Sequence, residues 1–341
     1  MPSSRIGTSK PLNAALVLLA SMAFAACGNV SALTITPTFD SSITGDPNHA
    51  AIENTIQNAI DVYQQDFSNN INVPIDFTEM SSGLGESYYS LTSVSYSDFR
   101  TALAAEPGSA VRAAAISSLP AQSTEPVPGT TGTQLLLTAA NVNALVASGK
   151  LSSSYATSAA SDGTISLNTS QTFTGPGSIG SQGNYSLETV VMHEIDEVLG
   201  LGSALPDYGA ASGGLSAPRP EDLYRYASNG TRSFSTSASG SVYFSLNGTT
   251  DLAQFNNSNN GGDYGDWASN PLPPGASPQV QDAFITGGQN ITLGTNEFAA
   301  LQAIGCGTTM RDPVAACRCG PQLTQAAGRP AESLQKPPPR A

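Results

Sequence analysis

Residues 191–200 read Val191-Met192-His193-Glu194-Ile195-Asp196-Glu197-Val198-Leu199-Gly200. The apolar spacing predicts one buried helix. His193 and Glu197 are four residues apart, so they leave that helix on the same face, one turn apart. Glu194 sits beside that face. A zinc hydrolase needs this arrangement, with two ligands on a helix and a carboxylate next to the water that the metal activates. The common form is H-E-x-x-H; here Glu197 stands at the second histidine and remains a competent oxygen ligand. Val190, Val191, Ile195, Val198 and Leu199 surround the charged positions, and charges in such a setting are costly without a partner. Gly200 falls seven residues after His193, where longer patterns of this kind turn sharply beneath the metal. The bland alternative is a half-buried helix whose acids face solvent.

The rest of the chain narrows the setting. There are only two histidines, His49 and His193, so metal ligands beyond the motif must be sought mainly among carboxylates. The net charge is -13, and residues 33–310 hold 24 of the 26 acids but 6 of the 13 basic residues, a net of -18. So acidic a body argues against nucleic acid or an anionic membrane as partner. Arg5 and Lys10 precede an apolar run from Ala14 to Ala26, too short to span a bilayer, and Val30-Ser31-Ala32 offers a small-x-small cleavage site. Residues 1–32 therefore read as a signal peptide of a secreted protein with no stable membrane insertion. A second reading stays open, in which cleavage before Cys27 leaves a lipid anchor on that cysteine. Residues 311–341 carry five basic residues against two acids and are rich in Pro, Ala and Gln, the composition of a disordered tail. Cys306, Cys317 and Cys319 leave their pairing open.

Between these ends lies one expected domain, residues 33–310. Asp46-Pro47 opens a helix whose apolar face is Ile52, Ile56, Ile60, Tyr63 and Phe67. Residues 71–77 read as a strand, with Pro74 pointing to a sheet edge. Short helices are expected over 95–105 and 110–117. A strand follows over 134–138, a helix near 140–148 and a strand over 163–172. Ser186 is the expected N-cap of the motif helix. Residues 203–219 read as loop, 241–246 as a strand and 296–304 as a last helix. The Asn- and Asp-rich loop from Asn256 to Asp266 offers oxygen ligands suited to Ca²⁺, without EF-hand spacing.

Several passages together resemble a group of secreted bacterial zinc metalloproteases with an H-E-I-x-E-V-M-G motif, similar to the metzincin clan. They are Thr38 to Ile43, His193 to Gly200, Asp222-Leu223-Tyr224-Arg225-Tyr226, Tyr243 to Gly248, Gly262-Asp263-Tyr264-Gly265-Asp266-Trp267 and Leu301 to Gly305. The resemblance implies an α+β fold: a mixed sheet, an active-site helix and a loop-rich C-terminal part. It also implies a Zn²⁺-dependent endopeptidase acting on protein or peptide substrates. The chain departs from the clan in two places. The third histidine would fall at Ser203, and no methionine lies between Met192 and Met310. The third ligand is therefore expected to be a carboxylate. Asp222 opens a patch shared with the resembling group and is the first choice, with Asp207, Glu221 and then His49 behind it. Asp222 reads equally as a helix cap or a partner of Arg225. Glu194 is the expected general base, and Tyr224 or Tyr226 could donate to the oxyanion or simply pack. The competing class is a non-enzymatic exported surface or adhesion protein on a degenerate protease fold, which a missing third ligand would favour.

Overall fold

The computed structural model describes residues 33–105, 109–121, 132–174, 184–206, 215–228 and 230–308. The signal-peptide, lipid-anchor and tail readings, together with Cys317 and Cys319, lie outside those residues. In chain order the elements are β1 (Thr34–Phe39), the single turn α1 (Ser41–Thr44), α2 (His49–Asp66), β2 (Asn72–Glu79), β3 (Gly85–Tyr89), β4 (Leu91–Ser95), α3 (Tyr96–Ala105), α4 (Ala110–Ser118), β5 (Gln134–Thr138) and α5 (Ala139–Ala147). They continue with β6 (Gly163–Leu167), β7 (Thr172–Phe173), β8 (Tyr185–Ser186), α6 (Leu187–Leu199), β9 (Arg225–Ala227), β10 (Val242–Phe244), β11 (Ala253–Gln254) and α7 (Thr295–Ile304). The fold is α+β, with a mixed main sheet in the order β1-β2-β6-β3. Strands β1, β2 and β6 are parallel, and β3 is the outer, antiparallel strand.

Strand β2 is central and not at an edge, which corrects the reading of Pro74. A residue in a strand points its N–H and C=O to the same side. The Pro74 carbonyl accepts from the Asp162 amide at 2.8 Å, so the missing N–H faces the β6 side. Pairing there begins only at Ile75 with Gly163. The proline therefore deletes no ladder bond.

Helix α2 buries Ile52, Ile56, Ile60 and Tyr63 at the expected spacing and packs on α6. The Tyr63 hydroxyl oxygen lies 2.7 Å from the Met192 carbonyl and 2.8 Å from Asp196 Oδ1, hydrogen-bonded to both. This locks the two helices in register. Ser186 caps α6 by accepting from the Thr189 amide at 3.2 Å, as its position before the apolar run implied. The other face of α6 lies against β3 and β6. The sharp turn expected after the motif is present: Gly200 adopts φ 131° and its N–H bonds the Asp196 and Glu197 carbonyls.

That φ favours glycine, and a Cβ at Gly200 would lie 2.9 Å from Ile304 Cδ1 of α7. Gly200→Ala is therefore expected to cost more than about 1 kcal/mol, read as a drop of several degrees in Tm. An unchanged Tm would show that the turn is not constrained.

Candidate metal centre

Helix α6 places His193 and Glu197 side by side, with His193 Nε2 3.8 Å from Glu197 Oε1. A third carboxylate reaches the same point. Asp266, from the loop after β11, puts Oδ1 3.8 Å from His193 Nε2. Donor atoms of His193, Glu197 and Asp266 all lie within 4.8 Å of one another. Two donors bound at about 2.1 Å to one cation are at most about 4.2 Å apart, so each 3.8 Å pair spans a cation as it stands. This buried group is able to hold a metal ion.

The surrounding bonds orient the ligands. His193 Nδ1 lies 3.0 Å from the Val280 carbonyl. A carbonyl only accepts, so Nδ1 carries a proton and Nε2 is the ring nitrogen that faces the two carboxylates. That is the usual way a histidine ligand is held. Ser87 donates to Glu197 Oε2, and Gln281 donates to Asp266 Oδ1 at 2.9 Å. Glu297 of α7 accepts from Trp267 Nε1 and from the Gln281 amide, fixing the residues beside Asp266. Arg225 donates to the Tyr264 carbonyl and to Asn257, and its guanidinium stacks on Phe255. The patch Asp222 to Tyr226 thus clamps the loop that carries Asp266.

The electrostatics point the same way. Burial pushes the Asp266 carboxyl up to about 8, against the pull of His193, and Glu197 and Asp263 add to the rise. Burial also raises Glu197, and burial with the nearby Glu197 charge raises Glu194 well above the carboxylate range. Burial lowers the proton affinity of His193, but Asp266, Glu194 and Glu197 outweigh it and raise the imidazole to about 10. One imidazolium cannot neutralise three buried acids. A divalent cation would supply the missing charge.

Asp222 is not beside His193 and Glu197; Asp266 is. Asp222 Oδ2 accepts from the Ala204 and Arg219 amides, each at 2.9 Å, and Oδ1 accepts from Ser203 Oγ. Asp222 caps the short 3₁₀ turn from Pro220 to Tyr224, and Ser203 is its partner. Glu221 accepts from the Gly202 amide. His49 is exposed on α2 and sits 3.4 Å from Glu53. Asp207 lies outside the described residues. The Tyr224 hydroxyl donates to the Ala303 carbonyl at 3.1 Å, and Arg232 covers the Tyr226 ring. In the expected calcium loop, Asn256 and Asn260 bond each other. Asn257 bonds the Ser237 and Gly240 carbonyls, and Asp266 turns to His193. Among the described residues the loop gathers no separate acidic group.

The strand that sequence reading passed over matters most. Of the alternate residues of β3, Gly85 lies beside Glu194 and Ser87 bonds Glu197, both on α6, while Tyr89 meets Arg219. A Cβ on Gly85 would meet Glu194 Oε1 at 2.4 Å, so the glycine is required for Glu194 to sit where it does. Two adjoining cavities, of about 290 and 320 Å³, share Gly85, His193, Glu194, Gly261 and Ala283. Comparisons with protein-family models, curated proteins and solved structures give no match for this chain.

Two outcomes are expected. Asp266→Asn should weaken metal binding by an order of magnitude or more with little change in Tm. Asp222→Asn should lower Tm and leave metal affinity within a few-fold, measured by titration calorimetry. The reverse pattern would return Asp222 to the ligand set. For the metal-stripped protein, acids whose pKa is raised on folding stabilise below their unfolded values and lose that contribution as pH rises through the folded value. Asp266, raised to about 8, and His193, raised to about 10, both act in this direction. The apoprotein should therefore have a lower Tm at pH 8 than at pH 5. The Tm gain on adding metal should be larger at pH 8. A metal-induced gain independent of pH would contradict the assignment.

Proposed function

We propose that this chain is a zinc-dependent endopeptidase of metzincin-like build, exported and acting on protein or peptide substrates. The observation that carries the reading is the convergence of His193 Nε2, Glu197 and Asp266 beside Glu194 at one end of two adjoining cavities. One imidazole and two carboxylates make a donor set suited to Zn²⁺. Bound there, the ion would polarise a peptide carbonyl and acidify a water. Glu194, with no protein hydrogen-bond partner among the described residues and a raised proton affinity, would hold the proton that a water gives up as its oxygen bonds to the carbonyl carbon. It would pass that proton to the amine nitrogen as the C–N bond breaks. Leu84, Tyr185, Val190, Phe284 and Ile285 line the larger cavity, which fits an apolar side chain next to the scissile bond. The outer strand β3 runs along the site, and an extended peptide laid beside it would gain main-chain hydrogen bonds.

The metzincin likeness rests on the motif helix and the Gly200 turn. It departs in the third ligand, which comes from a loop far downstream of the turn. The competing idea, a non-enzymatic surface protein on a degenerate protease fold, drew its support from a missing third ligand. Asp266 takes that support away.

Glu194→Gln should reduce hydrolysis of an unfolded protein substrate by at least about a hundredfold, the scale of lost general-base catalysis, while zinc stoichiometry stays near one. Full activity in this variant would remove Glu194 as the base.

A further inference from the structure

We propose that Tyr89 is a catalytic residue, whose hydroxyl donates a hydrogen bond to the carbonyl oxygen as it becomes an oxyanion, and that Arg219 positions and polarises it. This rests on the peptidase reading above. Tyr89 ends β3 and lines the same cavity as His193, Glu194, Glu197 and Asp266. Arg219 Nη1 donates to the Tyr89 oxygen, and its guanidinium carbon lies 4.8 Å from the Tyr89 ring centroid. The phenol oxygen is thus an acceptor from Arg219, and its own proton has no protein acceptor among the described residues. It is left to donate into the cavity.

Arg219 is held in place for this. It is 3% exposed, its Nη2 donates to the Leu201 carbonyl at 2.8 Å, and its backbone amide is fixed by Asp222. Gly202 at φ 125° leaves room for the guanidinium, since a Cβ there would lie 2.3 Å from Nη1. Burial raises the phenol's proton affinity and Arg219 opposes that rise, so the hydroxyl stays protonated but polarised.

The donor set explains the need. Two carboxylate ligands cancel the charge of a divalent ion, leaving a weaker electrophile than a three-histidine site provides. A second hydrogen-bond donor, backed by the Arg219 cation, offsets that loss where negative charge develops. Tyr89 makes and breaks no covalent bond; its O–H only shortens its contact with the oxyanion. Tyr224 and Tyr226 are committed elsewhere, and Tyr89 lines the cavity that also holds His193, Glu197 and Asp266.

The test is Tyr89→Phe in the full, zinc-loaded protein, which keeps the ring against Arg219 and deletes only the hydroxyl. Tm and zinc stoichiometry should match the parent, while kcat falls about a hundredfold, the usual effect of losing one oxyanion donor, with KM within about threefold. Binding of a phosphinic peptide, which mimics the tetrahedral oxyanion, should weaken by a similar factor in calorimetry. A substrate-derived product peptide should bind equally to both proteins. If the parent cleaves peptides and Tyr89→Phe retains kcat and phosphinic-peptide affinity, the proposal is overturned and the peptidase reading survives. If the zinc-loaded parent cleaves no peptide, both fall together.

Discussion

Three buried carboxylates facing one imidazole set the terms for this molecule. Glu194, Glu197 and Asp266 are each no more than 8% exposed, and isolated charges at that depth are costly. The fold meets the cost partly with hydrogen bonds from Ser87 and Gln281 and partly with His193. The balance is a deficit of positive charge that a metal ion held by His193, Glu197 and Asp266 would offset. Much of the surrounding architecture serves that one arrangement. Helix α2 holds α6 through Tyr63, β3 supplies Gly85 and Ser87 from its inward face, and the Val280–Gln281 segment grips both His193 and Asp266. Glu297 of α7 in turn grips that segment.

The dense acidic and aromatic patch Asp222 to Tyr226 illustrates how burial misleads when read along the chain. Its acids are deeply buried, as ligands would be. Asp222 is spent on the backbone amides of Ala204 and Arg219, and Glu221 on Gly202. Arg225 reaches across to the loop bearing Asp266. The patch supports the loop that carries Asp266 and contributes no donor to the His193, Glu197 and Asp266 group.

Local signals were legible in the sequence and long-range ones were not. Apolar periodicity gave α2, α6 and α7, the cap at Ser186 and the turn at Gly200, because each depends on neighbours within a turn of helix. His193, Glu194 and Glu197 share one helix and follow from spacing alone. Asp266 lies on another element, and only the packing of the β11–α7 region brings it to His193. On the chain it looked like one acid in an Asn-rich loop. Strand β3 escaped because its inward residues, Gly85 and Ser87, are small; they leave room for carboxylates, so the usual apolar alternation is absent. Pro74 pointed to an edge only because the offset start of β6 cannot be seen before the sheet is assembled.

The most direct test is anomalous diffraction at the zinc absorption edge from crystals of the zinc-loaded protein. One peak is expected, at about 2.0–2.2 Å from His193 Nε2 and from an oxygen of each of Glu197 and Asp266. Zinc-saturated crystals with no peak there, or with the peak at Asp222, would contradict the account.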